Sequence, residues 1–209
     1  MIKVLNLYAG IGGNRKLWEG VKVTAVENNH KIAAIYKEFF PNDTVIVGDA
    51  KDYLLEHFQE FDFIWASPPC PTHSRMRNLW SGSGKDIKGK VAGSSFKLPD
   101  MDLYSIIIFL KHFFKGNWVV ENVISYYEPL IKPQVLDNHY FWCNFILENT
   151  VKKTRGILID RKQEQFGFDL TNYDLPKRFK RTLLNNLVRP KVGLVVFNSS
   201  YKTKQEVLT

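Results

Sequence analysis

Cys70 stands where the apolar run Phe61-Asp62-Phe63-Ile64-Trp65-Ala66 gives way to Ser67-Pro68-Pro69. The run suits a buried strand, and proline stops it because it has no N–H to give to a ladder. A thiol at such a strand end lies where open α/β sheets bind ligands, beyond the carboxyl ends of the strands. There it can serve as a nucleophile once ionised, or simply as a small buried residue. A second ionisable side chain, Glu121, follows the apolar Trp118-Val119-Val120 and reads as another strand tip beside the first. The third constellation opens the chain. Val4 to Tyr8 runs into Ala9-Gly10-Ile11-Gly12-Gly13, and the next strand, Val21 to Val26, ends in Glu27. Glycines after a first strand let the backbone approach a nucleotide-like ligand, and a carboxylate at the tip of the second can hold both ribose hydroxyls. A dinucleotide fingerprint requires a third glycine where Arg15 stands, so NAD and FAD are disfavoured and an adenosyl ligand is favoured.

The elements that position these groups follow from hydrophobic period. Helical spacing over His30–Phe40, before Pro41, marks core packing. A short helix is expected at Asn14–Trp18, stopped by Gly20, and others at Lys51–Phe58 and from Pro99-Asp100 to Phe114. Strands are expected at Met1–Tyr8, Val21–Val26, Thr44–Val47, Phe61–Ala66, Trp118–Val120, Tyr140–Leu147 and Thr154–Ile159. Asp49 precedes the second helix and can cap it or accept from an adenine amino group. Thr72 to Leu98 has no clear period and is rich in glycine, serine and lysine, which fits a lid over an anionic ligand or a solvated loop. Gln165–Lys180 reads as irregular and basic, followed by an amphipathic segment to about Ser199 and a loose tail from Ser200. Alternating strands and helices predict an α/β fold with a mostly parallel sheet and helices on both faces.

At 209 residues, 44% of them hydrophobic and 24% charged, the chain can bury one substantial core. The longest apolar run, Tyr104–Leu110, is too short to span a membrane, and the start lacks a signal-peptide layout, so an intracellular, cytoplasmic setting is expected. Cys143, inside Tyr-Phe-Trp-Cys-Asn-Phe, reads as a small buried strand residue, and no Cys/His spacing suggests a metal. A net charge of +8 suits a polyanionic partner.

Taken in order, these signals resemble the cytosine-C5 DNA methyltransferase family. Asn6-Leu7-Tyr8-Ala9-Gly10-Ile11-Gly12-Gly13 is similar to its first motif, Val26-Glu27-Asn28 to the second and Gly48-Asp49 to the third. Ser67-Pro68-Pro69-Cys70 resembles the catalytic motif, Glu121-Asn122-Val123 the next, and Asn186-Leu187-Val188-Arg189-Pro190 the last. The resemblance implies a Rossmann-like methyltransferase fold that uses S-adenosylmethionine and releases S-adenosylhomocysteine. It places Tyr8, Ala9, Gly10, Gly12 and Gly13 around the methionine part, Glu27 on the ribose and Asp49 with Ala50 at the adenine, with Pro68 and Asn186 completing the pocket. Cys70 becomes the nucleophile and Glu121 its partner at cytosine N3, with Ser67, Pro69 and Asn122 lining the base site. Arg75 and Arg77, in a segment closing over a flipped base, and Arg155 would contact DNA.

Two departures set further expectations. Asn138 or His139 stands where the family carries an arginine that helps hold the base, leaving Arg155 or Arg161 as substitutes from a neighbouring strand. Residues 1–150 would form the catalytic domain and 185–209 a segment returning to it. Only 151–184 remain for target recognition, a length that suits a short site, little sequence readout, or a partner subunit, as in a compact bacterial or phage enzyme of the restriction-modification kind. The implied substrate is double-stranded DNA. The alternatives are RNA, since one branch of the family acts on tRNA, and a DNA-binding subunit without catalysis.

Overall fold

The computed structural model describes residues 1–74, 98–148, 150–151 and 159–206. Strands β1 (Ile2–Leu7), β2 (Val21–Glu27), β3 (Thr44–Val47), β4 (Phe63–Ala66), β5 (Asn117–Val123), β6 (Gln134–Leu136) and β7 (His139–Cys143) form one sheet in the order β3-β2-β1-β4-β5-β7-β6. The first five strands run parallel, while β7 pairs antiparallel with both β5 and β6. The strand order reverses beside β1, and that switch point is where a doubly wound sheet opens a crevice.

Side chains alternate across the sheet and both faces are covered, which is why the central strands read as continuous apolar runs. Leu5, Leu7, Ile64 and Val120 pack with Ala50 and Leu54 of α2 (Ala50–His57) and with Leu103 to Leu110 of α3 (Asp102–Phe113). Val4, Phe63, Trp65 and Val119 face the other way, against Val192, Val196 and Phe197. Those three belong to the last helix, which follows α4 (Ile159–Phe166) and α5 (Lys177–Asn185) and is numbered α6 (Pro190–Glu206). Helix α1 (His30–Phe39) lies on this second side, where Ile35 and Tyr36 join Phe166, Phe168, Leu170, Leu183 and Leu184 in one buried cluster. The expected α/β fold with helices on both faces is therefore present.

Several local expectations are corrected. Asn14–Trp18 is not a helix: successive three-residue turns close through Arg15 N to Gly12 O and Trp18 N to Arg15 O. Tertiary contacts fix this path. Arg15 pairs with Asp43 at 3.0 Å and donates to Trp18 O, and α6 lies so close that a Cβ on Gly193 would stand 2.2 Å from Asn14 O. Ile159 begins helix α4 rather than ending a strand, and residues 152–158 of that expected strand lie outside the described residues. The stretch read as irregular contains the first turn of α5, whose Phe179, Leu183 and Leu184 share one face. The tail is not loose at Ser200, which is buried in α6 and whose carbonyl accepts from Asn117 Nδ2 at 2.7 Å. The last expected strand before the recognition region ends at Cys143 rather than Leu147, and β6 adds an edge.

Candidate active site

The glycine turn is built by backbone geometry and by one carboxylate. Gly10 has φ +55°, in the left-handed region that glycine enters freely, and open space surrounds it. Its N–H donates to Glu27 Oε2 at 3.0 Å, and Asn29 N donates to Oε1 at 3.0 Å. Each oxygen keeps a lone pair for a further donor. Gly12 does a different job, since a Cβ there would stand 2.3 Å from the Phe40 ring. Gly13 leaves room for the last segment, because a Cβ would meet Val188 O at 2.5 Å. Asn6, where the family motif has Asp, accepts from Asn14 Nδ2 at 2.8 Å and so pins the turn to β1.

The corner after β4 is held just as specifically. Asn122 donates to Pro68 O at 3.0 Å and accepts from Val123 N at 2.9 Å, tying β5 to the Ser67-Pro68-Pro69 corner. Beyond it, His73 N and Ser74 N donate to Cys70 O at 3.0 and 3.1 Å. Trp65 Nε1 donates to Ser67 Oγ at 2.8 Å, which turns the hydroxyl proton toward Glu121. His139 enters from β7, with Nε2 3.8 Å from Glu121 Oε1. Burial pushes Glu121 above the usual carboxylate range, against the opposing pull of His139 and the Ser67 hydroxyl. Burial also raises the Cys70 thiol, and the Glu121 charge raises it further. In the resting site the thiol is therefore held protonated.

These groups converge on a single cavity of about 280 Å³. Of the residues singled out in the sequence, Tyr8, Ala9, Gly10, Gly13 and Glu27 line its one end. Ser67, Pro68, Pro69, Cys70, Glu121 and Asn122 line the other, and Asn186 closes it. Gly12, Asp49 and Ala50 are not on this wall. Asp49 Oδ1 caps α2, accepting from Lys51 N and Asp52 N, and Ala50 is buried in the core beneath. Arg75, Arg77, Arg155 and most of the Thr72–Leu98 segment lie outside the described residues. Arg161 is exposed on α4, away from the cavity. Sequence reasoning missed Asn14, Leu183, Leu187 and Val188 as lining residues; the apolar spacing of the last motif held a signal for them. Cys143 lies in β7 and its thiol donates to Phe145 O, a structural setting.

A mostly parallel sheet with helices on both faces, carrying a glycine turn, a strand-tip carboxylate and a strand-tip thiol in one cavity, has the architecture of a Rossmann-like methyltransferase fold. Residues 2–87, which carry the turn, Glu27 and Cys70, match the family model C-5 cytosine-specific DNA methylase. The family's methyl donor, S-adenosylmethionine, fits the residues present: an open glycine backbone at the turn and a Glu27 carboxylate with free lone pairs. No curated protein matches the chain. Among solved structures, the Thermus thermophilus hypothetical protein TTHA0928 is similar over 68% of this chain and 73% of its own, with 18% identity and a TM-score of 0.45. A mutant of Spodoptera frugiperda DNMT2 is similar over 59% and 36%, with 23% identity and a TM-score of 0.40. SMU.776 complexed with SAH is similar over 58% and 31%, with 17% identity and a TM-score of 0.38. The chain spans about a third of the length of these last two. Among the described residues no helix is long and apolar enough to cross a membrane.

Proposed function

We propose that the chain methylates carbon 5 of a cytosine in DNA through a covalent adduct with Cys70. The observation that carries this reading is that Cys70, Glu121 and the Gly10–Glu27 turn line one cavity. Cytosine is too electron-poor at C5 to take a methyl group directly, and addition of a thiolate at C6 pushes electron density onto C5. Glu121, which burial shifts toward its protonated form, donates to N3 and takes up the charge that the addition builds. While Glu121 carries this proton it places no negative charge beside Cys70, and one of the two causes that raise the thiol is absent. S-adenosylmethionine, when bound, supplies the methyl group. Glu27 would hold its ribose, with Tyr8, Ala9 and Gly13 along its methionine part and Asn186 closing the pocket.

C6 is unreachable inside a duplex, so the base must be flipped into the cavity. The exposed Lys177, Arg178 and Arg181 of α5, whose first turn carries no acid, suit backbone phosphates and favour contact over sequence readout. In this reading 151–184 is a minimal recognition region and 185–209 returns to the catalytic domain. The setting we favour is a compact bacterial or phage modification enzyme, with a partner subunit as the route to a longer target site. Incubation with S-adenosylmethionine and duplex DNA, followed by bisulfite sequencing, tests the proposal. Protected cytosines with wild type and none with Cys70→Ala are expected. Equal protection by both would overturn the covalent mechanism, and methyl transfer to tRNA but not to DNA would move the substrate to RNA.

A further inference from the structure

Glu121 is the most enclosed ionisable group of the cavity, with its side chain 8% exposed. The titratable groups that face it are Cys70, from the loop after β4, and His139, from β7, while Ser67 supplies an uncharged donor. Among the described residues the ion pair it makes is with His139, and no lysine or arginine stands within ion-pair range of it. His139 lines the same cavity, and its Nδ1 is buried with no hydrogen-bond partner among the described residues. With nothing at Nδ1 to receive a proton, the ring carries its hydrogen on Nε2, the nitrogen turned to the carboxylate. The separation of 3.8 Å is too long for a hydrogen bond in the resting site. Catalytic hydrogen bonds of this kind tighten when charge develops.

We propose that His139 is a positioning residue acting through Glu121: Nε2–H closes on Oε1 as Glu121 gives its proton to N3 of the base, compensating a carboxylate that forms in a dry cavity. The step balances. Once the Cys70 thiol has released its proton to solvent, the thiolate Sγ–C6 bond forms, the C5=C6 pair moves to C5–C4, and the C4=N3 pair moves to N3, which takes the Glu121 proton. The carboxylate left behind accepts from Nε2–H, and His139 itself neither gains nor loses a proton. An uncompensated carboxylate there would carry the full desolvation penalty of a buried charge. This inference rests on the reading of Glu121 as the group at N3.

The coupling can be read without methyl transfer. Peptide-resolved iodoacetamide alkylation of Cys70 is followed against pH in the substrate-free wild type, His139→Leu, Glu121→Gln and the double variant. Removing His139 takes away a group that favours ionised Glu121, so the carboxyl stays neutral to higher pH and opposes the thiolate less. The alkylation midpoint of His139→Leu is expected to fall toward that of Glu121→Gln, and the same change is expected to add nothing in the Glu121→Gln background. An unchanged or raised midpoint, or an equal shift in both backgrounds, overturns the proposal. In methyl transfer, His139→Leu is expected to lower kcat about 10-fold or more with KM nearly unchanged, and His139→Gln, whose amide can still donate, to recover part of it. An unchanged kcat in His139→Leu also overturns it. If wild type transfers methyl to no nucleic acid, the functional reading falls, while the alkylation cycle still decides the coupling.

Discussion

Asn122 on β5 donates to the carbonyl of Pro68 at 3.0 Å, so the strand that carries Glu121 also holds the corner that carries Cys70. The two groups proposed to react share one brace. Proline at 68 and 69 cannot donate to a ladder, and the corner depends on side-chain bonds to keep its path.

Asn122→Ala leaves the buried Pro68 carbonyl without its donor, at a cost of about 1–3 kcal/mol. Loss of kcat is expected to exceed what the stability change explains, with S-adenosylmethionine affinity nearly intact. Denaturant unfolding, calorimetric titration and steady-state kinetics on one preparation separate the three.

Glu121→Gln removes a carboxyl that burial has raised. A raised carboxyl contributes stability that is fully present below the unfolded value and is lost as pH rises through the folded value. At neutral pH and above, the variant should therefore unfold at higher temperature than wild type, with each kcal/mol worth about 2–4 °C for a chain of this size. The advantage should shrink as pH falls below the ordinary carboxylate range, which thermal scans over pH would reveal. Cys70 should also alkylate faster in this variant, since the charge that raises it is gone.

Glu27→Gln keeps the volume but sets an amide against two backbone N–H donors, those of Gly10 and Asn29. A decline of about 10-fold or more in S-adenosylmethionine affinity is expected, the equivalent of about 1.4 kcal/mol. Calorimetric titration checks it, and Gly12→Ala serves as a contrast that disturbs packing on Phe40 rather than the cavity wall.

Gly193→Ala tests the approach of α6 beneath the cofactor turn. In a helix interior this change ordinarily stabilises by about 1 kcal/mol. Here the new methyl would stand 2.2 Å from Asn14 O, and net destabilisation of about 1–3 kcal/mol is expected. A variant more stable than wild type would show that α6 can slide away from the turn.

Charge reversal at Lys177, Arg178 and Arg181 should weaken DNA binding at all sequences alike. The slope of log affinity against log salt should flatten by about 0.9 for each phosphate that is no longer neutralised. Binding titrations at several salt concentrations give that slope directly.

The central sheet was legible because β1, β2, β4 and β5 are largely buried on both faces and leave apolar runs ending at the residues that matter. The cavity's carboxylate and thiol were legible for the same reason, as polar groups at strand tips. What escaped was decided by distant contacts. Asn14–Trp18 has helical composition, yet Arg15 bonds Asp43 and α6 crowds Asn14, so turns replace a helix. Helix α5 was hidden by its lysines and arginines, although Phe179, Leu183 and Leu184 follow helical spacing. His139 stands out in the sequence as an off-pattern residue, but its approach to Glu121 depends on the antiparallel register of β7 against β5, which places it opposite Val123. That pairing has no local signature.

Trp18 Nε1 donates to Gly193 O at 3.1 Å, joining residues 175 positions apart. During synthesis the glycine turn emerges well before the helix that braces it, 175 positions later, and long-range contacts of this kind close slowly. A nascent chain therefore exposes its first strands well before the cofactor turn has its floor. The floor of the glycine turn is complete only after α6 has been made, so a chain cut short of Gly193 lacks the brace that Trp18 finds there.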